Sequence, residues 1–140
     1  MAELSIHGVK PYKPKKNEEY MSEGQLEHFR TILENWKREL NEETDRTMQR
    51  LKDDAGNHPD ENDRASQETE FALELRTRDR ERKLIRKIDS ALERISSGDY
   101  GYCEETGDEI GLKRLEARPI TTLSVEAQER HEKSERHFSR

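Results

Sequence analysis

Two long stretches of the chain repeat apolar residues at intervals of three and four, and a short polar segment separates them. In the first, Leu26, Phe29, Leu33, Trp36, Leu40, Thr44, Met48 and Leu51 fall on one helical stripe, because side chains three or four apart stand above one another. Ser22-Glu23-Gly24-Gln25 has the form of a capping box, with Ser22 as N-cap, Gln25 reaching back to it, and Met21 and Leu26 at the staple positions. Asp53-Asp54-Ala55-Gly56 closes the run, Gly56 suiting the left-handed position after a helix. The spacing predicts a helix over residues 22–54, on the order of 50 Å long.

Pro59 then blocks continuation and Asp60 can cap a second helix. That helix carries Phe71, Leu75, Ile85, Ile88, Leu92 and Ile95 and ends at Ser96-Ser97-Gly98. Between its apolar groups lies Arg76-Thr77-Arg78-Asp79-Arg80-Glu81-Arg82-Lys83. Arg78 and Arg82 are expected on the seam there, so its pairing should be polar. Two similar helices joined by a short acidic reversal predict an antiparallel hairpin. Its best apolar seam covers residues 26–40 and 84–95, which predicts a firm base and a looser tip at 57–65.

The flanks differ. Residues 1–20 hold Gly8, Pro11, Pro14 and Lys10, Lys13, Lys15 and Lys16, which reads as an extended arm docking through Ile6, Val9 and Tyr12. From Asp99 onward, Gly101, Gly107, Gly111 and Pro119 break the chain into turns. Ser124 can cap a last helix holding Val125, Ala127, His131 and Phe138. So small a knob needs a metal, disulfides or a larger surface to pack on. Here Tyr102, Ile110, Leu112, Leu115 and Leu123 are its expected packing groups. The expected fold is mainly α: an arm (1–20), a long hairpin (21–98) and a knob with a C-terminal helix (99–140).

Composition narrows the function. Only 29% of residues are hydrophobic and 41% are charged, which excludes a broad core but suits helices meeting along a narrow seam. The net charge of −6 argues against duplex DNA as partner and admits a protein with a basic channel. One cysteine, Cys103, excludes an internal disulfide. With no secretory signal or membrane-length apolar run, the expectation is a cytoplasmic monomer. Nothing resembles a catalytic nucleophile, a P-loop or a dinucleotide fingerprint, so no enzyme is expected. Trp36 reads as core. Asp60 and Asp63, in the first turn of a helix, suit capping and the helix dipole. Two acids three apart are also a weak magnesium signal.

The knob carries Cys103-x2-Thr106-x3-Ile110-x3-Arg114-x4-Pro119-x4-Ser124-x2-Ala127. This resembles the zinc-finger signature of the DksA/TraR family, bacterial regulators that bind RNA polymerase. Gly98-Asp99-Tyr100-Gly101-Tyr102, Arg114-Leu115-Glu116-Ala117-Arg118-Pro119 and the run Glu74 to Ile85 also look like the family. The tip fits its Asp-x-x-Asp-x-Ala motif through Asp60, Asp63 and Ala65. The resemblance spans most of the chain, from Gly8 to about residue 130. It implies that the hairpin enters the polymerase secondary channel and that the tip acids act near the active centre. It further implies regulation of initiation at rRNA-type promoters in the stringent response, without sequence-specific DNA contact. Arg80 and Arg114 match polymerase-binding positions. Leu84, Lys87 and Arg118 match a site for guanosine tetraphosphate between protein and polymerase, and Gln128 stands where the family usually has a lysine. In the zinc signature all of Cys103, Thr106, Ser124 and Ala127 would be cysteine. A tetrahedral zinc site needs four donors, so the resemblance is to a zinc-independent member, with no resident cofactor expected. His131 and His137 lie at no zinc-ligand spacing. Two other readings remain: a coiled-coil adaptor with no polymerase partner, and a transcript-cleavage accessory factor holding magnesium at the tip.

Overall fold

The computed structural model describes residues 6–54 and 61–138. Helix α1 spans Glu23–Asp54 and α2 spans Glu61–Ser97, about 48 and 55 Å at the usual rise per residue. They run antiparallel. Lys37 pairs with Asp89 at 2.6 Å, Thr44 donates to Glu81 Oε2 at 2.8 Å, and Arg50 pairs with Glu74 at 2.7 Å. Residue numbers thus rise along α1 as they fall along α2.

The apolar core lies at one end. Phe29, Ile32, Leu33 and Leu40 of α1 are buried against Ile88, Ala91 and Ile95 of α2. Farther out, among the described residues of α2, Glu81 is the buried one, while Phe71 and Leu73 are exposed. Two seam expectations change here. Arg82 is exposed, because counting back in sevens from Ile95 through Ile88 leads to Glu81 and Glu74, while Arg78 is half-buried with its Nε out of solvent, as a seam residue should be. The polar seam is therefore carboxylate against hydroxyl and guanidinium of α1. Trp36 is half-buried rather than core, and its ring stacks on His7 of the arm at 4.9 Å.

At the start of α1, Ser22 Oγ accepts from the Gln25 N–H at 3.3 Å. The expected return bond to Ser22 does not form. Gln25 is buried, its Oε1 accepts from the Met21 N–H at 2.7 Å, and its Nε2 donates to Glu18 at 2.6 Å. Glu18 also accepts from the Tyr12 hydroxyl at 2.7 Å, from Ser22 Oγ at 2.8 Å and from the Lys15 N–H at 3.1 Å, so one arm carboxylate gathers four donors. The arm turns at His7-Gly8, closed by reciprocal Ile6–Val9 backbone bonds of 2.9 Å. It then crosses to the knob, where the Tyr12 N–H donates to Glu116 at 2.9 Å.

Beyond α2, Gly98 takes φ 85°, a backbone state that costs glycine little and suits the residue after a helix. Tyr100 follows, buried, its hydroxyl donating to Pro119 O at 2.7 Å. Gly101 lies so close to the arm that a Cβ there would stand 2.8 Å from Met21 Cγ. The Tyr20 hydroxyl donates to Gly101 O at 2.6 Å and accepts from the Gly111 N–H at 2.9 Å. The segment expected as turns holds a short helix, α3 (Leu112–Ala117), with Leu115 buried. It is followed by α4 (Val125–Phe138), whose start is capped as expected: the Ala127 N–H donates to Ser124 Oγ at 3.2 Å. Ile110 and Leu115 are buried in the knob, whereas Tyr102, Leu112 and Leu123 are half-buried. Tyr100, Cys103 and Ala127 complete its interior. Among the described residues no helix is long and apolar enough to cross a membrane.

Candidate functional site

Three places carry the candidate residues: the outer end of the hairpin, the outer face of α2, and the junction between α2 and the knob. At the outer end, Asp60 lies outside the described residues. Asp63 falls in the first turn of α2, and Ala65 in the next turn is exposed.

The basic residues of α2 form a face. Arg76, Arg80, Lys83 and Lys87 are all exposed, and their spacing of four, three and four keeps them on one side of the helix. Acids three or four residues away on the same helix could pair with them. Instead Glu74 and Glu81 turn toward α1. Among the described residues, no ion pair engages these four cations.

At its inner end this face opens into a cavity of about 510 Å³ between α2 and the knob. Arg86, Lys87 and Ser90 line it from α2, and Glu104, Arg118 and Gln128 from the knob. The wall of residues 120–123 is held in place by Arg114, whose Nε donates to Leu123 O at 3.0 Å. Glu104 pairs with Arg94 at 3.2 Å, so the one carboxylate of the lining is already matched. Arg86, Lys87 and Arg118 have no ion pair among the described residues. The chemistry suits an anion with several charges. Leu84 lies one turn before Lys87, half-buried against the core, and does not line the cavity. Arg80 is two turns away along α2. Arg86, Ser90, Thr121 and Thr122 were not singled out for this site. No local pattern marks them, because the wall opposite Lys87 comes from more than thirty residues later.

The zinc-signature positions are used differently. Thr106 Oγ1 accepts from the Asp108 N–H at 3.2 Å, Ser124 Oγ caps α4, and Ala127 is fully buried. Only Cys103 offers a zinc donor of the ordinary kind, and this donor set does not fit a tetrahedral zinc site. Among the described residues no three of His, Cys, Asp and Glu stand close enough to hold a metal. Burial pushes the Cys103 thiol up, but the Thr106 hydroxyl and the N–H groups of Ser124, Thr106 and Glu105 outweigh it and bring the thiol down to about 6. His131 pairs with Glu105 instead.

Comparison with known proteins places both parts of the chain. Residues 25–95 match the model of the "DnaK suppressor protein DksA, N-terminal domain", and residues 98–133 match the "prokaryotic dksA/traR C4-type zinc finger". The RNA polymerase-binding transcription factor DksA of Escherichia coli K12 is 56% identical over 88% of this chain and 82% of its own length. The protein of the same name from Caulobacter vibrioides is 58% identical over 89% of this chain and 88% of its own. Among solved structures, transcription factor DksA2 from Pseudomonas aeruginosa superposes with a TM-score of 0.78 at 47% identity, covering 84% of this chain and 91% of that one.

Proposed function

The chain belongs to the DksA family, and on that premise we propose how it acts as an RNA polymerase-binding transcription factor: the hairpin enters the secondary channel, and Asp60, Asp63 and Ala65 act near the active centre. The observation that carries this reading is the asymmetry of the hairpin. Among the described residues its buried apolar groups run from the end next to the knob to Leu40 at the middle of α1, which leaves the outer end to serve a partner. Arg80 and Arg114 serve polymerase binding, Arg80 by direct contact from the exposed face of α2 and Arg114 through the knob wall it holds. The protein itself catalyses nothing. It works as a cytoplasmic monomer and contacts no specific DNA sequence. The arm, the hairpin and the knob divide at residues 20/21 and 98/99.

The test is transcription in vitro at a ribosomal-type promoter and on a backtracked complex, with wild type and Asp63→Asn. Loss of the promoter effect with unchanged folding supports the tip. Unchanged regulation by the variant refutes it, and cleavage of backtracked RNA that needs Asp63 and magnesium shows a cleavage factor instead.

Guanosine tetraphosphate is the proposed co-regulator, bound in the cavity that Lys87 lines from α2 and Arg118 from the knob and closed by polymerase. Leu84 supports Lys87 from the core side. The knob is zinc-independent in this reading, since hydrogen bonds and the buried Ala127 occupy the signature positions. Metal analysis of purified protein is expected to find well under one zinc per chain, and a stoichiometric, tightly held zinc overturns it.

A further inference from the structure

The cavity contains one more cation than the residues assigned to it so far. Arg86 and Lys87 are adjacent on α2, and neighbouring helical residues point about 100° apart. Both line the cavity, as does Ser90, which falls between them around the helix, so one face of α2 about 100° wide is turned toward it. Arg86 and Lys87 stand at the two edges of that face, and Arg118 lines the cavity from the knob. The remaining polar groups add no positive charge. Glu104 is matched by Arg94 at 3.2 Å. Gln128 is neutral, and its amide donates along its own helix to Glu132 at 3.4 Å.

We propose that Arg86 is a ligand-binding residue of this cavity, taking a phosphate group that Lys87 and Arg118 do not reach and supplying the positive charge that position 128 lacks. This rests on the reading of the cavity as the guanosine tetraphosphate site. A ligand with two separated diphosphate groups has charge enough for three cations, and an arginine fork can grip two phosphate oxygens at once. Ser90, one turn after Arg86, adds a hydroxyl between the two cations.

The test uses the complex of RNA polymerase with the full chain and measures guanosine tetraphosphate bound beyond what polymerase alone binds. Wild type is compared with Arg86→Ala, Lys87→Ala and the double variant Arg86→Ala/Gln128→Lys. Loss of one charge-assisted contact weakens binding about tenfold. Arg86→Ala is expected to do this while binding polymerase within about twofold of wild type, and Gln128→Lys is expected to restore part of the loss. If Lys87→Ala weakens binding and Arg86→Ala does not, the role of Arg86 is overturned and the cavity reading stands. If neither variant changes binding, or wild type adds none, the cavity reading itself falls. If Arg86→Ala lowers polymerase affinity as much as ligand affinity, Arg86 belongs to the protein interface and the proposal is overturned.

Discussion

The two halves of the hairpin are built from similar proportions of charge but do opposite things with it. In the inner half, charged groups lie outside a closed apolar seam of Phe29, Ile32, Leu33, Ile88, Ala91 and Ile95. In the outer half the closed apolar seam gives way to polar contacts, with Glu81 buried against Thr44 and Glu74 paired with Arg50, while Met48, Leu51 and Leu75 are only half-buried and Phe71 and Leu73 face solvent. Exposed or polar contacts of that kind contribute little net stability, whereas buried apolar groups contribute most of it. One end of the rod therefore holds the fold, and the other is open to change without unfolding the molecule.

Substitutions at matched positions can break or sharpen this contrast. The largest effect is expected from Phe29→Ala, which empties a fully buried site and should cost about 3–5 kcal/mol in urea denaturation. An unchanged midpoint would mean that the base is not the core. Next comes Tyr100→Phe, which leaves Pro119 O without its buried partner and should cost about 1–3 kcal/mol by the same measurement.

The arm supplies a pH effect on the same end. The Tyr12 hydroxyl, the Lys15 N–H, Ser22 and Gln25 hold the Glu18 carboxyl down at about 2, against burial, which opposes them; its usual value is 4.5. Between those two values the unfolded chain binds a proton that the folded chain refuses. The stabilisation from Glu18 is thus complete above the usual carboxylate range and is lost as pH falls toward 2. Following the denaturation midpoint of wild type and Glu18→Gln over this window should show a shallower fall for the variant; parallel curves would remove Glu18 from the account. The smallest effect is expected in the outer half, where Phe71→Ala should change stability by no more than about 0.5 kcal/mol. A loss comparable to that of Phe29→Ala would erase the distinction between the halves.

Much of this was legible beforehand because helices are local. The steps of three and four, Ser22 and Ser124 as caps, and Gly98 after α2 place the helix ends from neighbours in the chain alone. The spacing also placed most of the seam, but it missed Ile32 and Ala91 and put Arg82 where Glu81 lies. A straight stripe cannot show which flank its partner covers. Trp36 misled for a related reason: its place on the stripe was right, but His7 of the arm stacks on it at the margin of the core.

The candidate site divides in the same way. The tip motif and the signature positions are read in sequence order, so Asp63, Ala65, Cys103 and Ser124 could be named in advance. The cavity could not be drawn from them, since Arg86 and Lys87 meet Arg118 and Gln128 only after the knob has folded back on α2. The chain alone determined that there would be two long helices, where they start and stop, and that three of the four zinc-signature positions lack a thiol. Those properties follow from residue type and from contacts within a turn or two. Tertiary structure alone decided that Glu18 would gather the arm, that Glu81 rather than Arg82 would enter the seam, and that three cations would share one cavity. Each of these depends on which distant surfaces come together, and burial and charge pairing are settled only by that closure.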